Sequence, residues 1–154
     1  MLSLFEKKEQ LFGEFRTGVF TNNKRDIQTT ISAMKNGKCF VTNGPFIKIT
    51  CYANEKMYDT GNTIHGNRGS LNIHIISTPE FGYIKKITVK KGIIGSKAEI
   101  NYFTVKNQRI YELENNIEIV IDSDCYFRSE VELESNVDKK RFALTNPIWF
   151  KFIK

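Results

Sequence analysis

The sequence is poor in the residue types that most site chemistry needs. Its 154 residues include two histidines, three cysteines, three prolines and one tryptophan. His65 and His74 have no second ligand at i+2 or i+4, and a zinc site wants three or four such groups. Cys39, Cys51 and Cys125 are widely spaced and form no Cys-x-x-Cys pair, so zinc is not expected. Each lies in an apolar, strand-like run, as expected of reduced, buried thiols. No segment approaches the ~18 apolar residues of a membrane helix. The opening Met1-Leu2-Ser3-Leu4-Phe5-Glu6-Lys7-Lys8 is apolar and then charged, the reverse of a secretory signal. A cytoplasmic protein with no membrane partner is the expectation.

Catalytic signatures are missing as well. There is no Gly-x-Ser-x-Gly elbow, and no cysteine has a histidine in a recognisable context. The glycines at 61, 66 and 69 do not fit a phosphate-cradling loop. Asp122-Ser123-Asp124 begins like a calcium loop, but no glycine or distal glutamate completes it. It reads as a turn. No catalytic residue, metal ligand or cofactor is therefore expected in this chain.

What is present is a soluble composition with a net charge of +6. The densest basic pieces are Lys85-Lys86, Lys90-Lys91 and Lys139-Lys140-Arg141, and acids interleave with them. They read as a solvated face whose lysines discourage edge pairing. No RNP-type motif is present, and no nucleic-acid partner is expected.

The periodicity changes near Gly37. Before it, residues 1–12 could form a short helix and 15–20 an extended piece. Asn23 with Asp26 resembles a capping box. Ile27, Ile31 and Met34 then recur at helical spacing, and Gly37 suits the C′ position, so the spacing predicts a helix over 24–36. After Gly37 the pattern is β. Strands are expected over 39–42, 46–53, 71–78, 83–91, 99–105, 118–122, 125–134 and 148–153. Residues 54–70 form a long loop or weak hairpin. The expected fold is mainly β, an antiparallel, Ig-like sandwich of about eight strands with an N-terminal helical segment. The expected organisation is a helical lead-in over 1–37 and a C-terminal β-sandwich domain over 38–154.

Two segments echo each other: Thr42-Asn43-Gly44-Pro45 and Thr145-Asn146-Pro147. Each proline fixes φ and lacks an N–H, so it belongs at a strand start or an edge. Asn43-Gly44 offers easy positive φ, and the Asn43 and Asn146 side chains could cap neighbouring backbone groups. These seven residues are the candidate site, as structural turns or as a contact surface.

The run Ile31-Ser32-Ala33-Met34-Lys35-Asn36-Gly37-Lys38-Cys39-Phe40-Val41-Thr42-Asn43-Gly44-Pro45, within a longer match from Ile27, resembles a segment of the PHP (polymerase and histidinol phosphatase) superfamily. It is the segment after the catalytic barrel in the CehA/McbA-like branch. Tyr126-Phe127-Arg128-Ser129-Glu130-Val131 and Ala143-Leu144-Thr145-Asn146-Pro147-Ile148-Trp149 resemble that branch's closing strands. The likeness covers about residues 15–154. It implies the C-terminal β domain of a metal-dependent phosphoesterase, non-catalytic itself and packed on the barrel in cis or in trans. The family's divalent metal ions sit on His-x-His and Asp-x-His motifs upstream of this region, and this chain has neither. If barrel partners are missing, the stripe of Ile27, Ile31 and Met34 must pack on the β domain, or on a second copy as a homodimer, or stand exposed. A stand-alone module binding a carbohydrate or protein is the other reading, with Tyr52, Tyr58, Tyr102, Tyr111 and Tyr126 as a stacking surface.

Overall fold

The computed structural model describes residues 14–21, 26–106, 108–134 and 140–153. In chain order the elements are β1 (Arg16–Val19), α1 (Ile27–Lys35), β2 (Cys39–Thr42), β3 (Phe46–Ala53), β4 (Lys56–Asp59), β5 (Thr63–His65) and β6 (Arg68–Ile76). They continue with β7 (Tyr83–Ile93), β8 (Glu99–Lys106), β9 (Glu112–Val120), β10 (Cys125–Glu134), β11 (Phe142–Thr145) and β12 (Ile148–Lys151). The fold is mainly β, as expected, and forms two packed sheets.

In the larger sheet β10 is the organiser. One side of it pairs with β7 along its full length, and β7 carries β8 at the edge. Its other side pairs first with β12, over residues 125–127, and then with β11, over residues 130–132. β11 leads on to β2 and β1, while β12 carries β5 in a parallel pair. The smaller sheet runs β4-β3-β6-β9 and is antiparallel throughout.

Period-2 patterning explains the core. Ile47, Ile49 and Cys51 of β3 face Leu71, Ile73 and Ile75 of β6 in register, and all six are fully buried. Cys125, Phe127, Val131 and Leu133 of β10 close the core from the other sheet, and Phe127 meets Phe150 edge to face at 5.6 Å.

Several expectations need correction. Among the described residues there are twelve strands rather than about eight: β1 is the expected extended piece, and β4, β5 and β11 are additional. Residues 54–70 are not a loop: β4, β5 and the start of β6 occupy them. The β3–β4 turn is Asn54-Glu55, both with positive φ. It is the backbone of an Asn-Gly hairpin without the glycine that announces one. β9 begins at Glu112 rather than near 118, and nine register pairs to β6 override the turn-like Asn115-Asn116. The expected helix over 1–12 lies outside the described residues. Ahead of Gly37, β1 pairs with β2 over four residues and so extends the larger sheet.

Lys91 corrects the reading of Lys90-Lys91 as a solvated pair. Ile87, Val89 and Lys91 alternate onto the inner face, and Lys91 is 7% exposed. Its ammonium lies 3.1 Å from Asp122 Oδ1 and 6.0 Å from the centroid of the Phe127 ring. At the rim of the sandwich the stem packs on apolar surface while the head reaches a solvated carboxylate.

The three thiols are free, as expected, but Cys39 is only half-buried. Burial pushes Cys51 up to about 12 and Cys125 up to about 11. At pH 8 a disulfide reagent should therefore modify neither in the folded protein, and their labelling should follow unfolding. The folded pKa values are raised, so the thiols contribute stability below their ordinary value of 9.0 and lose it as pH climbs above. The urea midpoint should accordingly fall between pH 9 and 11. Rapid labelling of both cysteines at pH 8, without loss of β circular dichroism, would contradict the buried placement.

Candidate functional site

The two Thr-Asn segments end two strands that pair antiparallel. β2 finishes at Thr42 and β11 at Thr145, with Thr42 opposite Ala143 and Thr145 opposite Phe40. Each asparagine therefore lies beside the start of the other strand.

Asn43 uses that position fully. Its Nδ2 donates to the Lys140 carbonyl at 2.8 Å, and its Oδ1 accepts from the Phe142 N–H at 2.7 Å. Arg141 Nη1 donates to the Asn43 carbonyl at 2.6 Å. Asn43 is 5% exposed, so these bonds stand in for water that cannot reach it. The Thr42 hydroxyl accepts from the Gly44 N–H at 2.9 Å and donates to the Pro45 carbonyl at 2.6 Å. This side-chain turn carries the chain from the larger sheet into β3 of the smaller one. Pro45 sits one residue before β3, where no ladder donor is lost.

The second segment is a break within one long strand rather than a reversal. β11 and β12 both lie along β10, interrupted at Asn146-Pro147. At the break the Ser129 N–H donates to the Thr145 hydroxyl at 2.9 Å, which replaces the missing ladder bond. Asn146 Nδ2 reaches Gly37 O at 3.2 Å and Cys39 Sγ at 3.1 Å, and the Asn146 N–H donates to Cys39 O at 3.3 Å. Asn43 thus holds the entry to β11, and Asn146 holds the entry to β2. The pairing of the two segments is reciprocal, and no signal in the linear sequence announces it.

The second clamp also seats α1. Asp26 is the N-cap: its Oδ1 accepts from the Thr29 N–H at 2.8 Å, and that bond draws its carboxyl below the usual range. The expected cap at Asn23 lies outside the described residues, and the helix opens at Ile27 on the Asp26 cap rather than at 24. At the other end Gly37, with φ 68°, donates to Met34 O, and Lys38 donates to Ala33 O. This is a Schellman close. Gly61, with φ 86°, lies against Asn36 and Gly37, and its N–H donates to Pro147 O at 2.9 Å. Lys35, Asn36, Gly37, Gly61, Asn146, Pro147 and Trp149 line an open groove of about 430 Å³ there.

The helix between these caps is barely covered. Ala33 is its one buried residue, while Ile27, Ile31 and Met34 are 76%, 41% and 49% exposed.

The remaining candidates stay separate. His74 Nε2 meets Glu112 Oε1 at 2.9 Å, and His65 lies on β5 in the other sheet. Asp122 and Asp124 turn to different lysines, Lys91 and Lys151. Among the described residues no three His, Cys, Asp or Glu side chains gather as a metal site would require. The five tyrosines do not assemble either. Tyr102 meets Phe127, Tyr111 stacks on Tyr83, Tyr126 leans on Trp149, Tyr58 of β4 packs on the core, and Tyr52 stands exposed on the smaller sheet. Comparison of the chain with protein-family models, curated proteins and solved structures finds no match.

Proposed function

We propose that this chain is a non-catalytic accessory β domain of a PHP-type metal-dependent phosphoesterase, docking through α1 on the catalytic barrel. The exposed stripe of Ile27, Ile31 and Met34 is the observation that carries this reading. A helix of nine residues is marginal alone, since isolated helices need roughly 12–15 residues in water. Most helices are held by packing an apolar face, yet this one turns that face away from its own sandwich. Its C-terminal end is seated against Gly61 and Asn146 instead, while Asp26 caps its start, and this presents the stripe to a partner. The resemblance of residues 27–45 to the junction after a PHP barrel supplies the partner. The barrel brings the metal ions and the hydrolysis; this domain contributes a rigid wall.

The test is binding to a barrel with His-x-His motifs, encoded in the same reading frame or by an adjacent gene. Titration calorimetry should show association, and Ile31→Glu should weaken it tenfold or more. The same substitution should leave the domain's stability within about 0.5 kcal/mol, because the side chain faces solvent. Association unaffected by Ile31→Glu and Met34→Glu would overturn the reading, as would the absence of any such barrel.

A further inference from the structure

Sheet edges differ sharply in this fold. β1 and β4 have four residues each, too short to template much pairing. β9 has nine residues but carries Glu112, Glu114 and Glu118 on its outward face, so two copies of it would repel. β8 has eight residues, Glu99-Ile100-Asn101-Tyr102-Phe103-Thr104-Val105-Lys106, with charge only at its two ends. Among the described residues it pairs with β7 alone, and Ile100 is 56% exposed.

The faces of β8 follow from its register with β7. Glu99, Asn101, Thr104 and Lys106 oppose Gly92, Lys90, Thr88 and Lys86 on the outer face. Ile100, Phe103 and Val105 oppose Lys91, Val89 and Ile87 on the inner face. The register slips between Val89 and Lys90, which leaves Tyr102 as an extra residue. It joins Phe103 on the inner side, where its ring meets Phe127 at 5.1 Å.

We propose that β8 is a homodimerisation strand, pairing antiparallel with β8 of a second copy about a two-fold axis between Tyr102 and Phe103. Glu99 then faces the partner's Lys106, and Ile100 faces the partner's Val105. Asn101 faces the partner's Thr104, and Tyr102 faces the partner's Phe103. Each pair is chemically matched. In a straight strand this register would oppose inward to outward residues, because neighbouring side chains alternate. The extra residue at Tyr102 corrects the alternation by one, so every pair shares a face. A bulge that spoils pairing with a straight strand suits a copy bulged at the same place.

Charge supports the same occupant. Lys106 stands directly opposite Lys86 within its own sheet, an unfavourable like-charge pair. The partner's Glu99 offsets it. Glu99 is held in place by Arg128 Nε and Nη2 at 2.7 and 2.6 Å, and these bonds keep it ionised. The dimer would continue the larger sheet across both copies. It uses the edge opposite to β1, so α1 is not part of it.

Sedimentation equilibrium of the full chain should show a concentration-dependent dimer. Lys106→Glu sets two glutamates against each other at both ends of the interface. It should raise the dimer dissociation constant about tenfold or more, with the circular dichroism spectrum unchanged. As a second variant, Asn101→Cys with Thr104→Cys should give a covalent dimer on mild oxidation. A monomer at the highest concentration reached would overturn the proposal. So would a dimer that Ile31→Glu abolishes and Lys106→Glu leaves intact, since the contact would then lie at α1.

Discussion

Replacing Asn43 with alanine lowers the unfolding free energy by about 2–3 kcal/mol. The side chain gives one donor and one acceptor to the entry of β11, and both partners are main-chain groups, Lys140 O and Phe142 N–H. Alanine leaves them facing a closed space beside a residue that is 5% exposed. An unmade bond at a buried site costs more than a made bond contributes, because water cannot replace it. Arg141 also loses a rigid acceptor, since its bond to Asn43 O depends on the same turn. Urea unfolding should show a lower midpoint with an unchanged slope. Asn146→Ala should cost less, about 1 kcal/mol, because its bonds go to a carbonyl at 3.2 Å and a thiol at 3.1 Å. A loss under about 0.5 kcal/mol for Asn43→Ala would show that the clamp contributes little.

Gly61→Ala has a comparable cost by a different route. A Cβ at this position would lie 2.0 Å from Asn36 O and 3.0 Å from Gly37 C. Both are backbone atoms at the close of α1, so no side chain can swing aside. The φ of 86° adds strain for any residue with a Cβ. Together these effects should cost about 3 kcal/mol. The disturbance should be local in character. The end of α1 must move away from the Asn146-Pro147 break, so amides of residues 33–38 should exchange faster while those of β3 and β6 keep their protection. The proposed binding through the Ile31 stripe should weaken with it, although no residue of the stripe has changed. Unchanged exchange at α1 would mean that the groove, not the glycine, sets the helix position.

Both predictions concern main-chain contacts between segments far apart in sequence, and there the linear reading stopped. The alternation in β3, β6 and β10 was legible because a half-buried strand must place apolar residues at every second position. The close of α1 at Gly37 was legible because a Schellman turn needs positive φ. The opening of α1 was misplaced by three residues, since Asn23 and Asp26 are both good caps and only geometry separates them. β4 and β5 were invisible for another reason. They are short, polar, and stabilised by the pairing partners β3 and β12 rather than by their own pattern.

The sequence by itself determined the class of fold, the inward face of the long strands, the short helix with its apolar stripe, and the two Thr-Asn breaks. Local propensity and periodicity suffice for these, because each is set by residues within a turn or two of one another. Only the tertiary structure decided that β2 and β11 are neighbours, that each asparagine holds the other strand's entry, and that α1 keeps its stripe outside. Register and long-range pairing are set by the summed burial of both sheets, and no local stretch carries that sum. The echo between the two Thr-Asn segments is therefore visible in the chain, and its meaning lies in the antiparallel pair that brings them together.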